Sequence, residues 1–167
     1  TAIYYRAPQQ DRVEKIINEE ERRHYVSQSV VVGSIEKEGE LYTVGTTHFT
    51  HAPGGAESKE QAQDMTSLLT KLARHQSLIL AADLNIHRGG AQYKRLTERY
   101  QDWIPKEIKG SIDTTHHRSG KTPKIRPLLE KAMVDYIFTT HHYEVTNISQ
   151  KCGISDHCAF SAEIKKL

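Results

Sequence analysis

The segment Leu78-Ile79-Leu80-Ala81-Ala82-Asp83-Leu84-Asn85 carries most of the information about the fold of this chain. Its unbroken apolar run predicts a strand that is covered on both faces. Asp83 and Asn85 follow directly, so a carboxylate and an amide stand at the end of a buried strand. A carboxylate in that place is either exposed to water or held by a cation and hydrogen bonds. Because Asp and Asn also favour turns, this segment alone leaves both interpretations open.

Further strands and two helices are predicted on either side of this segment. Hydrophobic periodicity and turn residues predict a strand at 3–5, a hairpin over 25–48 with a polar turn at 36–40, a helix over 58–72 that begins with a capping box, a short helix over 92–100, and closing strands at 133–140, 143–149 and 158–165. The charged run over 11–23 fits a helix or a solvated loop. Sheet strands with helices packed outside them indicate an α/β layered domain, and 167 residues fit one domain.

Two other predicted strands also carry ionisable side chains. Alternation along the second arm of the hairpin places His48 at the end of a strand face. Asp135 stands within the apolar run Val134-Asp135-Tyr136-Ile137-Phe138, where an acid needs a partner, and the imidazole of His157 is a natural one. That pairing would fix the tautomer of the ring and raise its basicity. Acids and an amide that hold a divalent cation and water, with imidazoles for the charge on phosphate, are what phosphate-ester hydrolysis needs.

The order His48, Asp83-Leu84-Asn85, Val134-Asp135-Tyr136 and Ser155-Asp156-His157 resembles the endonuclease/exonuclease/phosphatase superfamily, which includes DNase I-like nucleases, deadenylases, sphingomyelinases and inositol-phosphate 5-phosphatases. The resemblance implies a DNase I-like four-layer αββα sandwich, of α/β (α+β) class, over residues 1–167. It further implies that the chain is the C-terminal portion of that fold, because the Asn-bearing strand and the Glu metal ligand of the family have no counterpart here. The acidic run at 19–21 is interpreted as a solvated face rather than a replacement for that Glu.

Residue by residue, the resemblance assigns roles at one phosphate group. Asp83 would orient the attacking water, His48 would donate to a phosphate oxygen, and His157 would contact the phosphate and transfer a proton. The catalytic residues implied are His48, Asp83, Asn85, Asp135 and His157, and those implied for Mg²⁺ or Mn²⁺ are Asp83, Asn85, Asp156 and His157. Since Mg²⁺ is usually bound through one or two direct carboxylates, we expect weak Mg²⁺ binding by this polypeptide without a Glu-bearing segment.

A basic, turn-rich segment over 106–126 separates the Asp-x-Asn motif from the Asp135 strand. It could follow a nucleic-acid backbone or be a solvated loop. We predict a Mg²⁺-dependent phosphodiesterase, a nuclease for DNA or RNA with Asp83, Asn85 and His157 at the phosphate. The alternatives are an inactive remnant that only binds, or a phosphatase for a lipid or inositol phosphate. The predicted substrate-binding residues are His51, His117, Arg118 and Lys121.

Composition is that of an ordinary soluble globular protein, with 37% hydrophobic and 26% charged residues and a net charge of +2. Any nucleic-acid surface must therefore be local. No apolar run approaches the length of about 18 residues that a membrane span needs, so we expect no membrane partner. Cys152 and Cys158 lack the spacing of a CxxC motif and are interpreted as free thiols in a reducing compartment, which predicts a cytoplasmic location.

Overall fold

Two β-sheets and three helices make up the part of the chain that the computed structural model describes, residues 2–6, 28–52 and 57–167. The charged run at 11–23 lies outside these residues. The strands are β1 (Ala2–Arg6), β2 (Gln28–Lys37), β3 (Glu40–Thr46), β4 (Ile79–Asp83), β5 (Gln101–Asp102), β6 (Asp135–Thr139), β7 (Tyr143–Lys151) and β8 (Ala159–Lys166). The helices are α1 (Lys59–Leu72), α2 (Ala91–Thr97) and α3 (Arg126–Leu129).

The larger sheet has six strands in the order β1-β2-β3-β4-β6-β5, and β7 and β8 form a second, two-stranded sheet. Strands β3 and β4 are parallel, whereas β4 and β6 are antiparallel. The parallel pair is joined through helix α1, as a crossover between parallel strands requires. Because β4 lies between β3 and β6, the residues that follow β3 and β4 and those that begin β6 meet at one edge of the sheet.

The β2–β3 hairpin is as predicted, but its turn is shorter than the sequence suggested. Only Glu38 and Gly39 form the turn, with φ angles of 55° and 79°. Two consecutive residues with positive φ make a type I′ turn, whose twist matches that of the strands. The hairpin strand ends at Thr46, so His48 lies just beyond β3 rather than within it.

Helix α1 covers the sheet with the apolar face that its sequence predicts. The hydroxyl oxygen of Ser58 accepts the backbone N–H of Gln61 at 3.0 Å, which caps the first turn. Met65, Leu68 and Leu72 are completely buried against the sheet. Each such leucine contributes roughly 2 kcal/mol of burial energy, so the strand ends beneath this helix are fixed by a dense core.

Cys152 and Cys158 form a disulfide, with their Cα atoms 4.2 Å apart, so the prediction of free thiols is wrong. The chain between β7 and β8 turns back on itself through Gly153, whose φ is 92°, and this brings the two thiols together. The sequence interpretation considered metal-binding spacing and overlooked closure of a local loop. The expectation of a reducing, cytoplasmic compartment thereby loses the argument on which it depended.

In the described ranges, no helix combines the length and apolar character that crossing a membrane would take.

Candidate active site

The ends of β3 and β4 bring His48 and Asp83 together. Their backbones form an isolated parallel bridge, and the N–H of Phe49 donates to the carbonyl of Asp83 at 2.8 Å. The Nε2 atom of His48 lies 3.5 Å from Oδ2 of Asp83. The imidazole is 78% exposed, whereas the carboxylate is only 21% exposed. His48 therefore stands at the mouth of a site whose acid lies deeper.

Asp83 and Asp135 face each other across two central strands. The register of β4 and β6 pairs the two residues directly. His157 completes the group, because its Nδ1 atom lies 2.8 Å from Oδ2 of Asp135 and 4.0 Å from Oδ2 of Asp83. The Asp135–His157 pair expected from the sequence is thus present. With Nδ1 donating to Asp135, Nε2 of the ring remains as the atom that can meet a substrate.

Burial and like charge set the protonation behaviour of this cluster. Desolvation raises the pKa of Asp83, and the negative charge of Asp135 raises it further. The hydrogen bond with Asp135 raises the pKa of His157 against the opposing effect of burial, and the charges of Asp135 and Asp83 add to that increase. The site therefore favours a protonated imidazole beside a carboxylate that retains its proton more readily than a free one.

Asn85 is held in an unusual backbone conformation next to this cluster. Its φ is 48°, in the left-handed region that asparagine tolerates better than most residues. The backbone N–H of Asn85 donates to Oδ1 of Asp83 at 3.0 Å, and its side-chain amide donates to the carbonyl of Phe49 at 2.9 Å. Because the amide nitrogen is used in this way, the side-chain oxygen is the atom with which Asn85 can accept from water or coordinate a cation.

A divalent cation fits the donor set of the cluster. One ligand atom from each of Asp83, Asp135 and His157 lies within 4.8 Å of the others. Two carboxylates so close repel each other, and a cation between them would relieve that repulsion. Of the four residues predicted for the metal, Asp83 and His157 belong to this cluster. Asp156 does not; it is exposed and accepts a hydrogen bond from the Ser155 hydroxyl at 2.9 Å.

Gln61 links two loops of the candidate site, and the sequence interpretation noted this residue without assigning it a role there. It is 1% exposed, at the start of α1. Its single side-chain nitrogen donates to the carbonyl of Thr50 at 2.9 Å and to that of Asn85 at 3.0 Å. One amide therefore joins the loop that follows His48 to the loop that follows Asp83.

We expect Gln61→Glu to lower kcat about 10-fold and to cost roughly 3 kcal/mol of unfolding free energy, because a carboxylate would face two buried carbonyls without a proton to donate. Chemical denaturation and steady-state kinetics measure both effects. The matched control is Gln92→Glu on α2, where the side-chain oxygen accepts from Arg95 at 2.9 Å and a carboxylate would keep that partner. Equal kinetic losses in the two variants would contradict the role given to Gln61.

The start of the basic segment (106–126) is built into the site. Ser111 is completely buried, and its hydroxyl oxygen lies 3.1 Å from the N–H groups of both Val134 and Asp135. Ile112 pairs with His157 in an isolated antiparallel bridge. This contact could not be predicted from the sequence, since a lone serine before a turn has no distinctive pattern. The part of the segment around Ile112 therefore lies next to the cluster, and most of the residues that follow form turns.

The four predicted substrate-binding residues lie in different surroundings. His117 is half-buried, and its Nδ1 atom accepts the N–H of Ser119 at 3.2 Å. Hydrogen bonding from Ser155 lowers the pKa of Asp156, and the positive charges of His157 and His117 lower it further, which places His117 near that carboxylate. Three of the predicted residues are exposed: His51, Arg118 and Lys121.

Several solved structures share this arrangement of strands and helices. The endonuclease/exonuclease/phosphatase from Bacteroides vulgatus superposes with a TM-score of 0.67 at 14% identity, over 100% of this chain and 64% of that one. The endonuclease/exonuclease/phosphatase from Beutenbergia cavernae gives 0.64 at 16% identity, over 99% and 44%. The human Nocturnin catalytic domain with bound sulfate anion gives 0.55 at 17% identity, over 83% and 54%.

This chain has the fold of the endonuclease/exonuclease/phosphatase proteins. The predicted α/β, DNase I-like fold class is thereby confirmed. The chain spans between 44% and 64% of the length of these three structures. By sequence alone it matches no protein-family model and no curated protein.

Proposed function

We propose that this chain hydrolyses a phosphoester with the help of a divalent cation, and that the ester is a phosphodiester of nucleic acid. The observation that carries the proposal is the convergence of Asp83, Asp135 and His157, whose ligand atoms lie within 4.8 Å of one another, with His48 beside them. The fold supports it, since structures with the same fold carry nuclease and phosphatase names and one holds a sulfate anion.

In the proposed mechanism, the imidazoles meet the phosphate. His157 is held by Asp135 through Nδ1 and, when protonated, donates from Nε2 to a non-bridging oxygen. His48 is exposed enough to donate to a second oxygen. These two donors would orient the ester and stabilise the charge that develops as water attacks phosphorus and the bond to the leaving ester oxygen breaks, that oxygen taking a proton from solvent.

Asp83 is proposed to take the proton of the attacking water. The N–H of Asn85 fixes the orientation of its carboxylate, so that one oxygen can face the attacking water. Asp83 and Asp135 would hold the cation, while His157 stays bound to Asp135 through Nδ1. A bound divalent cation supplies positive charge that polarises the phosphate and neutralises its repulsion from these acids.

The basic segment favours nucleic acid as the substrate. Arg118, Lys121 and Lys124 are exposed, and they lie on the same segment as Ile112, which pairs with His157. Each contact of such a cation with a backbone phosphate displaces counterions, so binding would weaken as salt rises. A net charge of only +2 for the chain makes this local basic surface the feature that would attract a polyanion.

The proposal is tested by incubating the chain with supercoiled plasmid, single-stranded RNA and a chromogenic phosphodiester, with Mg²⁺, Mn²⁺ or EDTA. We expect cation-dependent cleavage that is lost in His157→Ala. The control for contaminating nuclease is His142→Ala, prepared in the same way. In the wild-type protein the ring of His142 contacts the hydroxyl of Thr140, and His142 is not one of the candidate site residues. Nucleic-acid binding without cleavage under any of these conditions would instead support a binding module.

A lipid phosphoester is the second candidate, because of two apolar side chains in or beside the basic segment. Ile125 and Leu128 are 40% and 71% exposed, close in sequence to Lys121 and Lys124. Apolar and basic residues together suit the surface of an anionic membrane. Release of phosphorylated headgroups from phospholipid vesicles, without cleavage of plasmid or RNA, would favour this substrate over nucleic acid.

A further inference from the structure

Residues 152–158 form a loop that carries Asp156 and His157, and we name it the Asp-His loop. Its two ends are joined by the Cys152–Cys158 disulfide. Between those ends, the loop must hold His157 in register with Asp83 and Asp135, which stand on strands of the other sheet. The loop itself is largely exposed. Something outside the loop therefore has to fix its position against the sheet.

The backbone of residues 111–113 provides one such attachment. The N–H of Asp113 donates to the carbonyl of Asp156 at 2.9 Å, and the N–H of Cys158 donates to the carbonyl of Ser111 at 2.7 Å. These two bonds enclose the bridge between Ile112 and His157. Segment 111–113 thus forms the main-chain partner of the Asp156–His157 pair.

The side chain of Asp113 provides a second attachment on the far side of the loop. Its Oδ2 atom accepts the N–H of Gly153 at 2.7 Å and lies 3.0 Å from Nδ1 of His116, while Oδ1 accepts the N–H of Thr115 at 2.9 Å. The carboxylate is only 8% exposed. Gly153 has a φ of 92°, so it adopts a conformation that the carboxylate stabilises where a side chain would be strained.

In the described chain, the hydrogen bonds that connect residues 153–156 to other segments both end on Asp113. One is made by its backbone and the other by its side chain. Asp113 lies on the segment that continues into the basic turns, and its carbonyl accepts the N–H groups of His116 and His117 at 3.1 and 2.8 Å. The same residue therefore sets the place of His117 and the place of the Asp-His loop.

We propose that Asp113 is a positioning residue for catalysis. It holds the Asp-His loop in the place where His157 can contact the same phosphate group as Asp83 and the cation. The role rests on the proposed function, because it describes how the geometry of that site is kept. Asp113 does not touch the reacting atoms; it acts through Gly153, Asp156 and His117.

The test compares Asp113→Ala with Thr140→Ala. Thr140 is buried, and its hydroxyl oxygen accepts the N–H of Leu78 at 3.1 Å at the other end of strands β4 and β6, so its loss lowers stability without changing the site. We expect Asp113→Ala to lower kcat about 10-fold to 100-fold with a KM within about threefold of wild type, since displacement of a catalytic group by roughly 1 Å costs that much. Thr140→Ala should lower Tm and leave kcat unchanged at a temperature where both variants are folded.

Amide hydrogen exchange at Gly153, followed by NMR, gives a readout that needs no substrate. It should accelerate at least about 10-fold in Asp113→Ala and stay unchanged in Thr140→Ala. If Asp113→Ala does not fold, Asp113→Asn, which keeps one acceptor oxygen, should show smaller changes in the same directions. Wild-type kcat retained in either Asp113 variant, or unchanged Gly153 exchange, overturns the positioning role. Lack of cleavage by wild type overturns the proposed function, and exchange at Gly153 still decides whether Asp113 holds the loop.

Discussion

Asp83→Asn is expected to lower kcat by about 10³-fold while the folded protein becomes more stable at neutral pH. Asparagine keeps the size of the side chain and an oxygen that can accept the N–H of Asn85, but it cannot take a proton from water. Its neutral amide also removes one of the two negative charges that would hold a cation. Both losses act on the reaction and neither disturbs the packing of β4.

The gain in stability follows from the sign of the pKa shift. Burial, followed by repulsion from Asp135, raises the pKa of Asp83 above its usual 3.8, so the folded protein binds this proton more tightly than the unfolded chain does. Ionisation then costs stability, and the cost develops as pH rises from 3.8 through the folded pKa. Chemical denaturation should give a higher free energy of unfolding for Asp83→Asn than for wild type above this pH range, and equal values well below pH 3.8.

Asp102→Asn is the control with the opposite signature. Asp102 is a buried acid that binds Arg88 at 2.9 Å and the hydroxyl of Tyr93 at 2.8 Å, away from the candidate site. Loss of its charge should destabilise the protein and leave kcat nearly unchanged. The interpretation of Asp83 fails if Asp83→Asn retains more than about one tenth of wild-type kcat, or if it is the less stable of the two variants.

The sequence predicted the site residues that stand at strand ends, because each produces a local conflict that can be recognised. An acid after the apolar run 78–82 and an acid inside an apolar strand both need a partner, and the imidazole of His157 was predicted as the partner of Asp135. The structure does place His48, Asp83, Asp135 and His157 together. What the sequence could not give is the register that sets Asp83 directly opposite Asp135, since the strands lie far apart in the chain and either could shift by two residues and keep its buried face.

The contacts that support the site were less predictable than the residues that form it. Gln61 looked like part of a helix cap, and only the packing of α1 shows that its amide joins two loops. Asp113 precedes two threonines and suggested nothing beyond a turn. Its carboxylate accepts the backbone N–H groups of Thr115 and Gly153, and these bonds hold its pKa at about 2, which is a property of the folded loop and not of the local sequence. The disulfide was missed for the same reason, because closure depends on how the loop turns at Gly153.

The like-charged pair at the centre of the site links stability to function. An amide at either Asp83 or Asp135 would lessen the repulsion between them, yet the two acids together concentrate negative charge that a bound cation would offset. His157 offsets part of the negative charge and is itself held charged by it. A cation bound between Asp83 and Asp135 should therefore stabilise the folded protein. It would do so as an amide at either position does, by lessening the repulsion between the two carboxylates.

Asp135→Asn is expected to lower kcat about 100-fold, because the ring of His157 would lose the acceptor that fixes its tautomer. The hydrogen bond with Asp135 is the largest cause of the raised pKa of His157, so that pKa should fall towards 6.5 in the variant. A raised histidine pKa gives stability that is fully present below pH 6.5 and is lost as pH rises through the folded pKa. Loss of the histidine contribution should therefore lower the stability of the variant below pH 6.5 and have no effect in alkaline solution, whereas relief of Asp83 favours the variant wherever that carboxyl group is ionised.

NMR titration of the histidine ring protons measures this prediction, together with the pH dependence of kcat. The midpoint of the His157 titration should move to lower pH in Asp135→Asn. If the protonated ring is needed for cleavage, kcat falls as the ring loses its proton, so this fall in kcat should also begin at lower pH in the variant. An unshifted His157 with a reduced kcat would mean that Asp135 acts on the cation alone. An unshifted His157 with unchanged kcat would remove the pair from the mechanism.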